Sequence, residues 1–341
     1  MRVCLLTPDP GHPLLAATAA LLAPDHRVES LDPTTGDTPP DGRLGPGPLA
    51  DVYLLKARTP QALALARHLE ERGAPVINSA AATAFCQDRT AMADLADRAG
   101  LPFAATRTAA GIAELAESVG PEDRAAGLAG AGPLPATGLR YPIVVKSRHS
   151  RRHDLVARVD GPEQLRALAA RWPGEPVIAQ PYLANTGWDQ KLWVVDGQVF
   201  CDRRRSELAP GAGLPAGGEG RFGPAELPAD RAALARRVGE VFGLDVYGVD
   251  LLDGPAEPVI VDVNAFPGIR GQAGAPEALA ALALRAAARG GGNPRLPGRC
   301  PGLLPDRPAG QLPGVPPGVL PGLLPGQLPG QRDAPPRTAG R

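Results

Sequence analysis

Asp250, Asp262 and Asn264 stand close together in the segment GVDLLDGPAEPVIVDVNAFPG, residues 248–268. The segment reads as two apolar strands joined by a Gly/Pro turn. Side chains alternate along a strand, so Asp262 and Asn264 face the same way, with Asp250 near the end of the preceding strand. Two carboxylates and an amide converging there suit Mg²⁺, which takes carboxylates and phosphate oxygens and keeps some of its water. Acidic residues also end strands for purely structural reasons. A carboxylate buried between Val261 and Val263 without a partner, however, would be costly.

Basic residues supply the complementary charge. Lys146 ends the apolar run YPIVVK and is followed by the polar loop SRHSRRHD, an arrangement that suits phosphate. Lys191, in QKLWVV, alternates with Leu192 and therefore faces away from it. Beyond it lies the run RRRS, Arg203 to Ser206. Taken alone, the two arginine runs are consistent with solvated charge or with nucleic-acid contact. Neither has the interleaved aromatic residues of a base-stacking platform. Lysine, arginine and aspartate around one sheet fit nucleotide phosphates with a metal better. Of the 36 basic residues only Lys56, Lys146 and Lys191 are lysine. The abundant glycine and proline point to a GC-rich coding bias that favours arginine. A lysine kept against that bias marks a place where arginine's planar fork is a poor substitute.

The elements that must position these residues divide the chain. Buried strands over residues 2–6, 26–31, 51–56 and 74–78 alternate with helices over 12–22 and 60–72. Thr59 serves as N-cap, Pro60 as first helical residue and Gly73 as stop. This is a parallel α/β unit. A helix over 88–99, capped by Asp88, leads into the next region, where YPIVVK pairs with 153–159 as a hairpin and a helix runs from Pro162 to Trp172. Further strands include a hairpin turning at Asp196-Gly197, so the centre and C-terminal half read as α+β. After a helix over 276–289 the chain becomes rich in Pro and Gly. Its Pro-Gly pairs recur every four residues over 313–330, which excludes collagen and predicts a disordered or polyproline-like tail.

The totals exclude several classes. The 341 residues are ample for more than one core, and 36 basic against 36 acidic side chains remove the case for a globally basic nucleic-acid or membrane binder. Cys4, Cys86, Cys201 and Cys300 are widely spaced, with no zinc or disulfide pattern. The N-terminal MRVCLLTPDPGHP reads as a first strand and not a secretion signal, and no apolar run is long enough to span a membrane. A cytoplasmic protein is expected.

From about Asn78 to Gly271 the order of YPIVVK, VIAQPYL, WDQKLWVVDGQVFCDRRRS, GVDLL and VIVDVNAFPG resembles the ATP-grasp superfamily. The detail is most similar to its RimK-like and inositol polyphosphate kinase-like branches. The resemblance implies two α+β subdomains holding ATP, preceded by a small Rossmann-like domain. The expected divisions are 1–86 for the first domain, 87–289 for the grasp (subdomains about 103–183 and 184–289) and 290–341 for the tail. It further implies that Lys146 contacts the ATP phosphates, with Arg89 beside it, and that Gln180, Pro181, Tyr182 and Leu183 form the adenine hinge. Lys191 and Arg204 would act at the transferred phosphoryl or an anionic acceptor. Asp250, Asp262 and Asn264 would hold Mg²⁺, or Mn²⁺ in its place, and Lys56, Arg151, His153 and Arg204 would meet the substrate. The loop SRHSRRHD departs from the family by having no glycine, and Arg89 stands where many members have lysine.

The implied activity is an ATP-dependent ligation of a carboxylate to an amine through an acyl phosphate. The same machinery would serve a kinase acting on an anionic polyol, and a degenerate ATP-binding scaffold is the non-enzymatic alternative. The resemblance implies a small-molecule or peptide substrate and a homodimer or homotetramer, with no nucleic-acid or membrane partner.

Overall fold

The computed structural model describes residues 1–35, 45, 47–118, 139–183, 187–206, 208, 222–224, 226–253, 257–292 and 294–299. The expected tail beyond residue 299, with Cys300, lies outside the described residues.

Strands β1 (Arg2–Leu6) and β3 (Val52–Leu55) are almost wholly apolar and buried, as strands covered on both faces must be. With β2 (Arg27–Leu31) and β4 (Val76–Ile77) they form a parallel sheet of order β2-β1-β3-β4. Helices α1 (Pro13–Leu22) and α2 (Pro60–Glu71) make the crossovers. Thr59 caps α2 by accepting from the Ala62 amide at 3.2 Å, and Gly73, at φ 86°, reverses the chain after it. A short helix, α3 (Ala80–Phe85), follows.

Helix α4 (Arg89–Arg98) starts where the sequence predicts, with Asp88 accepting from the Thr90 and Ala91 amides. A second sheet has the order β5-β8-β6-β7 and is antiparallel throughout, from β5 (Arg107–Ala109), β6 (Ile143–Ser147), β7 (Val156–Val159) and β8 (Val177–Pro181). Helices α5 (Ile112–Ser118) and α6 (Pro162–Arg171) accompany it. The third sheet, order β11-β10-β9-β12-β13, contains β9 (Trp188–Val195), β10 (Gln198–Arg205), β11 (Phe222–Pro224), β12 (Val246–Asp253) and β13 (Pro258–Ala265). The β9–β10 hairpin turns on Asp196 and Gly197, at φ 50° and 78°, the left-handed pair that a two-residue turn requires.

One face of this third sheet packs, through Trp193, Val195 and Phe200, on α1, the first sheet and α8 (Ala275–Arg289). Its other face packs, through Leu192, Val249 and Val263, on α4 and α7 (Ala229–Phe242). The sequence reading passes over α3, α5, α7, β5 and β11. In α7 the apolar positions Ala232, Ala235, Val238 and Val241 recur at helical spacing, but most are small and are interrupted by arginines and Gly239. Gly239 is required by packing: a Cβ there would lie 2.2 Å from the Tyr247 hydroxyl.

The body also continues past the expected boundary at residue 290. Arg295 pairs with Asp245 at 2.6 Å, its carbonyl accepts from Ser79, and the Gly298 amide donates to the Val241 carbonyl.

Asn78 ties the first sheet to the third. It is fully buried, its Oδ1 accepts from the Asp245 and Val246 amides at 2.8 and 2.9 Å, and its Nδ2 donates to the Val246 carbonyl. Strand β12 thus starts from a side chain borrowed from the N-terminal unit. Asn78→Ala orphans both amides and is expected to cost about 2–4 kcal/mol, read by urea denaturation; a loss within error of zero would refute the bolt.

Candidate functional site

The third sheet aligns charge across three strands. Lys191 on β9 lies opposite Asp250 on β12, and Asp250 lies opposite Asp262 on β13. Two aspartates side by side repel unless cations intervene. Lys191 forms an ion pair with Asp250. Asp262 is met by Arg89, the first residue of α4, at 3.2 Å. Arg89 is buried and donates also to Asp154 at 2.7 Å and to the Ser147 carbonyl at 2.8 Å. From β6 the buried Lys146 ammonium donates to the Val261 carbonyl at 2.8 Å.

The charges answer one another. Burial pushes the Asp262 carboxyl up, but Arg89 and Lys146 outweigh it and hold the group below the usual carboxylate range. Burial draws the Lys146 ammonium down, and Asp262 restores part of the loss. Arg89 is also raised, because Asp262 and Asp154 overcome the cost of burying it.

Between the second and third sheets these residues line a cavity of about 330 Å³. Among the described residues its wall combines apolar side chains, including Val144, Tyr182, Leu183 and Leu252, with six basic and four acidic ones. Gln180 lines it too, buried and donating to the Thr106 hydroxyl at 3.0 Å, and Pro181 follows it in the wall. A wall that combines apolar and oppositely charged side chains has the chemistry a nucleotide's base and phosphates need. Lys146, Gln180, Pro181, Tyr182, Leu183, Lys191, Arg204, Asp250, Asp262, Asn264 and Arg89 all contribute to this one wall, so the sequence candidates for nucleotide and metal converge.

The divalent-cation candidates present two carboxylates in direct register and an amide on the same face. Asp250 Oδ1 is buried and makes no hydrogen bond, its charge partner being Lys191. This all-oxygen set fits Mg²⁺ or Mn²⁺ with phosphate completing the shell. Among the described residues no group of three or more His, Cys, Asp or Glu forms a metal cluster.

A second cavity, of about 510 Å³, joins the first along Arg58, Lys191, Arg204 and Asn264. Lys56, at the end of β3, reaches it and donates to the Phe266 and Pro267 carbonyls at 3.2 and 3.3 Å. The arginine run on β10 splits by strand alternation. Arg204 faces both cavities with Asp189 at 3.6 Å, while Arg203 and Arg205 lie over the Trp188 ring.

Two candidates are placed differently. Arg151 lines the first cavity but is held by Glu175 at 2.7 and 2.8 Å. His153 is exposed, at φ 61° in the turn between β6 and β7, and lines neither cavity. Arg58, Arg270, Asp154 and Asp189 were not singled out in sequence. Arg58 and Arg270 flank motifs that were, two residues past Lys56 and just beyond Pro267-Gly268.

Residues 132–278 match the model of the RimK-like ATP-grasp domain. Over that stretch the chain is similar to a RimK-like ATP-grasp domain. A probable alpha-L-glutamate ligase of Thioalkalivibrio sulfidiphilus is 26% identical over 213 residues, 61% of this chain and 65% of that protein. This chain spans about a third to two thirds of the length of the curated relatives it matches, from 32% to 65%. An ATP-grasp RimK domain protein of Sphaerobacter thermophilus shares the fold at a TM-score of 0.62, with 22% identity over 83% of this chain and all of that one. The ATP-grasp ligase PsnB, solved with a minimal precursor, Mg and ADP, shares it at 0.57, with 18% identity over 84% of this chain and 98% of that one. The α+β assignment of the ATP-grasp region and the parallel sheet before it agree with these likenesses. The three described cysteines are free, and no described helix is long and apolar enough to cross a membrane.

Lys56 makes this site sensitive to pH. Burial, then Arg58 and Arg270, lower its ammonium from 10.5 to about 8, with Asp9 opposing. The folded chain therefore releases this proton before an unfolded chain does, so Lys56 adds stability as pH rises through about 8. Relative to Lys56→Met, the natural chain should gain about 1–2 kcal/mol between pH ~7.5 and ~9.5 in urea denaturation. Parallel pH dependences would remove Lys56 as the source.

Proposed function

We propose that the chain is an ATP-dependent carboxylate–amine ligase acting on a small-molecule or peptide substrate through an acyl phosphate. One observation carries the reading. The in-register row Lys191, Asp250 and Asp262, lining one cavity with Lys146, adjoins a second cavity whose charged residues, among those described, are all basic. A nucleotide in the first cavity would present its terminal phosphate where the two cavities meet. A carboxylate drawn into the second would arrive at the same place.

In the first step a carboxylate oxygen of the substrate attacks the γ-phosphorus, the bond to the β-phosphate oxygen breaks and ADP leaves. In the second, an amine nitrogen attacks the acyl carbon, the C–O bond to phosphate breaks, and the amine's proton passes to phosphate or solvent. Neither step needs a nucleophile from the protein; the chain's part is alignment and charge. Lys146 holds phosphate oxygens, and the Gln180–Leu183 segment receives the base. Lys191 and Arg204, at the junction, meet the charge that builds on the transferred phosphoryl. Asp250, Asp262 and Asn264 hold Mg²⁺ or Mn²⁺, which neutralises phosphate charge when bound. Arg89 keeps Asp262 ionised for that task. The relatives named as glutamate ligases support this reaction class. A kinase acting on an anionic polyol would draw on the arginine-rich loop and on Lys56; in that loop Arg148 pairs with Asp88 and Arg151 with Glu175, while Lys56 lines the second cavity.

Hydroxylamine tests the reading by intercepting an acyl phosphate as a hydroxamate. With ATP, Mg²⁺ and a pool of carboxylic acids, the chain should form hydroxamate in step with ADP. Asp262→Asn should lower the rate about a hundredfold or more with the fold intact by circular dichroism. ADP formed with a phosphorylated alcohol and no hydroxamate would overturn the ligase.

A further inference from the structure

The first cavity contains an amide whose direction is fixed by a residue that does not itself line it. Gln180, on β8, is 2% exposed and lines the cavity. Its Nε2 donates to the Thr106 hydroxyl at 3.0 Å, and that hydroxyl donates to the Ala104 carbonyl at 2.8 Å. A carbonyl only accepts, and a hydroxyl has one proton to give. With that proton committed to Ala104, Thr106 can only accept from Gln180. The amide must therefore turn its NH₂ group to Thr106 and its Oε1 away. Among the described residues none donates to that Oε1. Thr106 stands just before β5, where Arg107 pairs with Ala179 and Thr108 with Ile178, so it continues that register opposite Gln180. The Ala104 end is braced as well. Its amide donates to the Ile260 carbonyl at 2.8 Å, and the Ile260 amide donates to the Pro102 carbonyl at 2.7 Å, which laces this segment to β13.

We propose that Thr106 is a positioning residue that sets which nucleotide base the first cavity prefers, by holding Gln180 Oε1 toward the base as a fixed acceptor. A fixed acceptor favours a base with an exocyclic amine over a purine with an oxo group on the same ring carbon. Against the oxo group two oxygens meet with no proton between them, and the buried amide oxygen stays unpaired. Without the Thr106 hydroxyl neither direction of the amide is favoured, and a half-turn about its last bond presents NH₂ to the oxo group instead. The inference rests on the nucleotide part of the ligase reading and adds to it the residue that orients the base contact. It holds whether the phosphoryl group goes to a carboxylate or to an alcohol.

Calorimetric titration of the full chain with ADP and with inosine diphosphate, both at saturating Mg²⁺, tests this. The two nucleotides carry an amine and an oxo group, respectively, on the same ring carbon. The natural chain should bind ADP the more tightly. Thr106→Val should shrink that preference about tenfold, weakening ADP and tightening inosine diphosphate. This crossed change separates an oriented amide from a loosened wall, which would weaken both nucleotides alike. Thr106→Ala, which removes the hydroxyl and adds no methyl group, should give the same shift, and Thr106→Ser, which keeps the hydroxyl, should retain the natural ratio. Equal binding of the two nucleotides by the natural chain overturns the proposal and leaves the nucleotide reading standing. So does an unchanged ratio in Thr106→Val and Thr106→Ala. Failure of the natural chain to bind either nucleotide overturns the nucleotide reading, and the proposal with it.

Discussion

A carboxylate in the middle of an apolar strand is a cost that the surrounding structure has to meet. Asp262 sits between Val261 and Val263 on β13, and burying its charge unpaired would cost several kcal/mol, on the order of what a small domain can spare. Arg89 and Lys146 offset that cost from two different elements, the start of α4 and the strand β6. Each of these is itself held. Asp88 caps α4 and is gripped by Arg148 at 2.7 Å, so the helix begins where Arg89 can reach across. Arg89 spans Asp154, the Ser147 carbonyl and Asp262, joining the second sheet to the third. Removing Asp262 from this arrangement would leave two buried cations facing each other. The neutral balance of the whole chain hides this strongly local pairing.

The same network sets the charges along the first cavity. Lys191 pairs with Asp250, while Arg89 and Lys146 hold the Asp262 carboxyl below the usual carboxylate range. The neighbouring cavity is built on the opposite plan: its described charged residues are all basic, and among the described residues Lys56, Arg58 and Arg270 form no ion pair. A mixed-sign cavity, where we propose that metal and nucleotide bind, thus joins a cavity whose described charged residues are all basic. All three lysines of the chain line one or both of these cavities. Two of them, Lys56 and Lys146, donate to backbone carbonyls, and the third, Lys191, pairs with Asp250.

Much of this was legible in sequence. The period-two alternation placed Asp262 and Asn264 on one face and turned Lys191 away from the buried Leu192. Thr59 and Asp88 announced their helices because a side-chain oxygen must satisfy the first amides. The small-residue helix α7 was not legible, since alanine and glycine give a weak apolar stripe; its identity rests on packing against Tyr247. His153 shows the limit of reading a role from motif proximity. Its sequence distance from Lys146 is short, yet the turn after β6 carries it to the surface. Arg58 and Arg270 look like ordinary surface arginines until β3 and the end of β13 are brought side by side.

The sequence by itself determined which residues carry charge, where strands and helices begin, and which face each side chain takes. These are consequences of backbone geometry acting over a few residues. Only the tertiary structure decided the partners: Arg89 meets Asp262 across 173 positions, and Lys56 meets Phe266 across 210. Such pairings arise when separate segments are driven together by burial, and the charges they carry must then find compensation wherever packing has put them. The two cavities, one balanced and one uniformly basic, are properties of that convergence, because no single segment contains either of them.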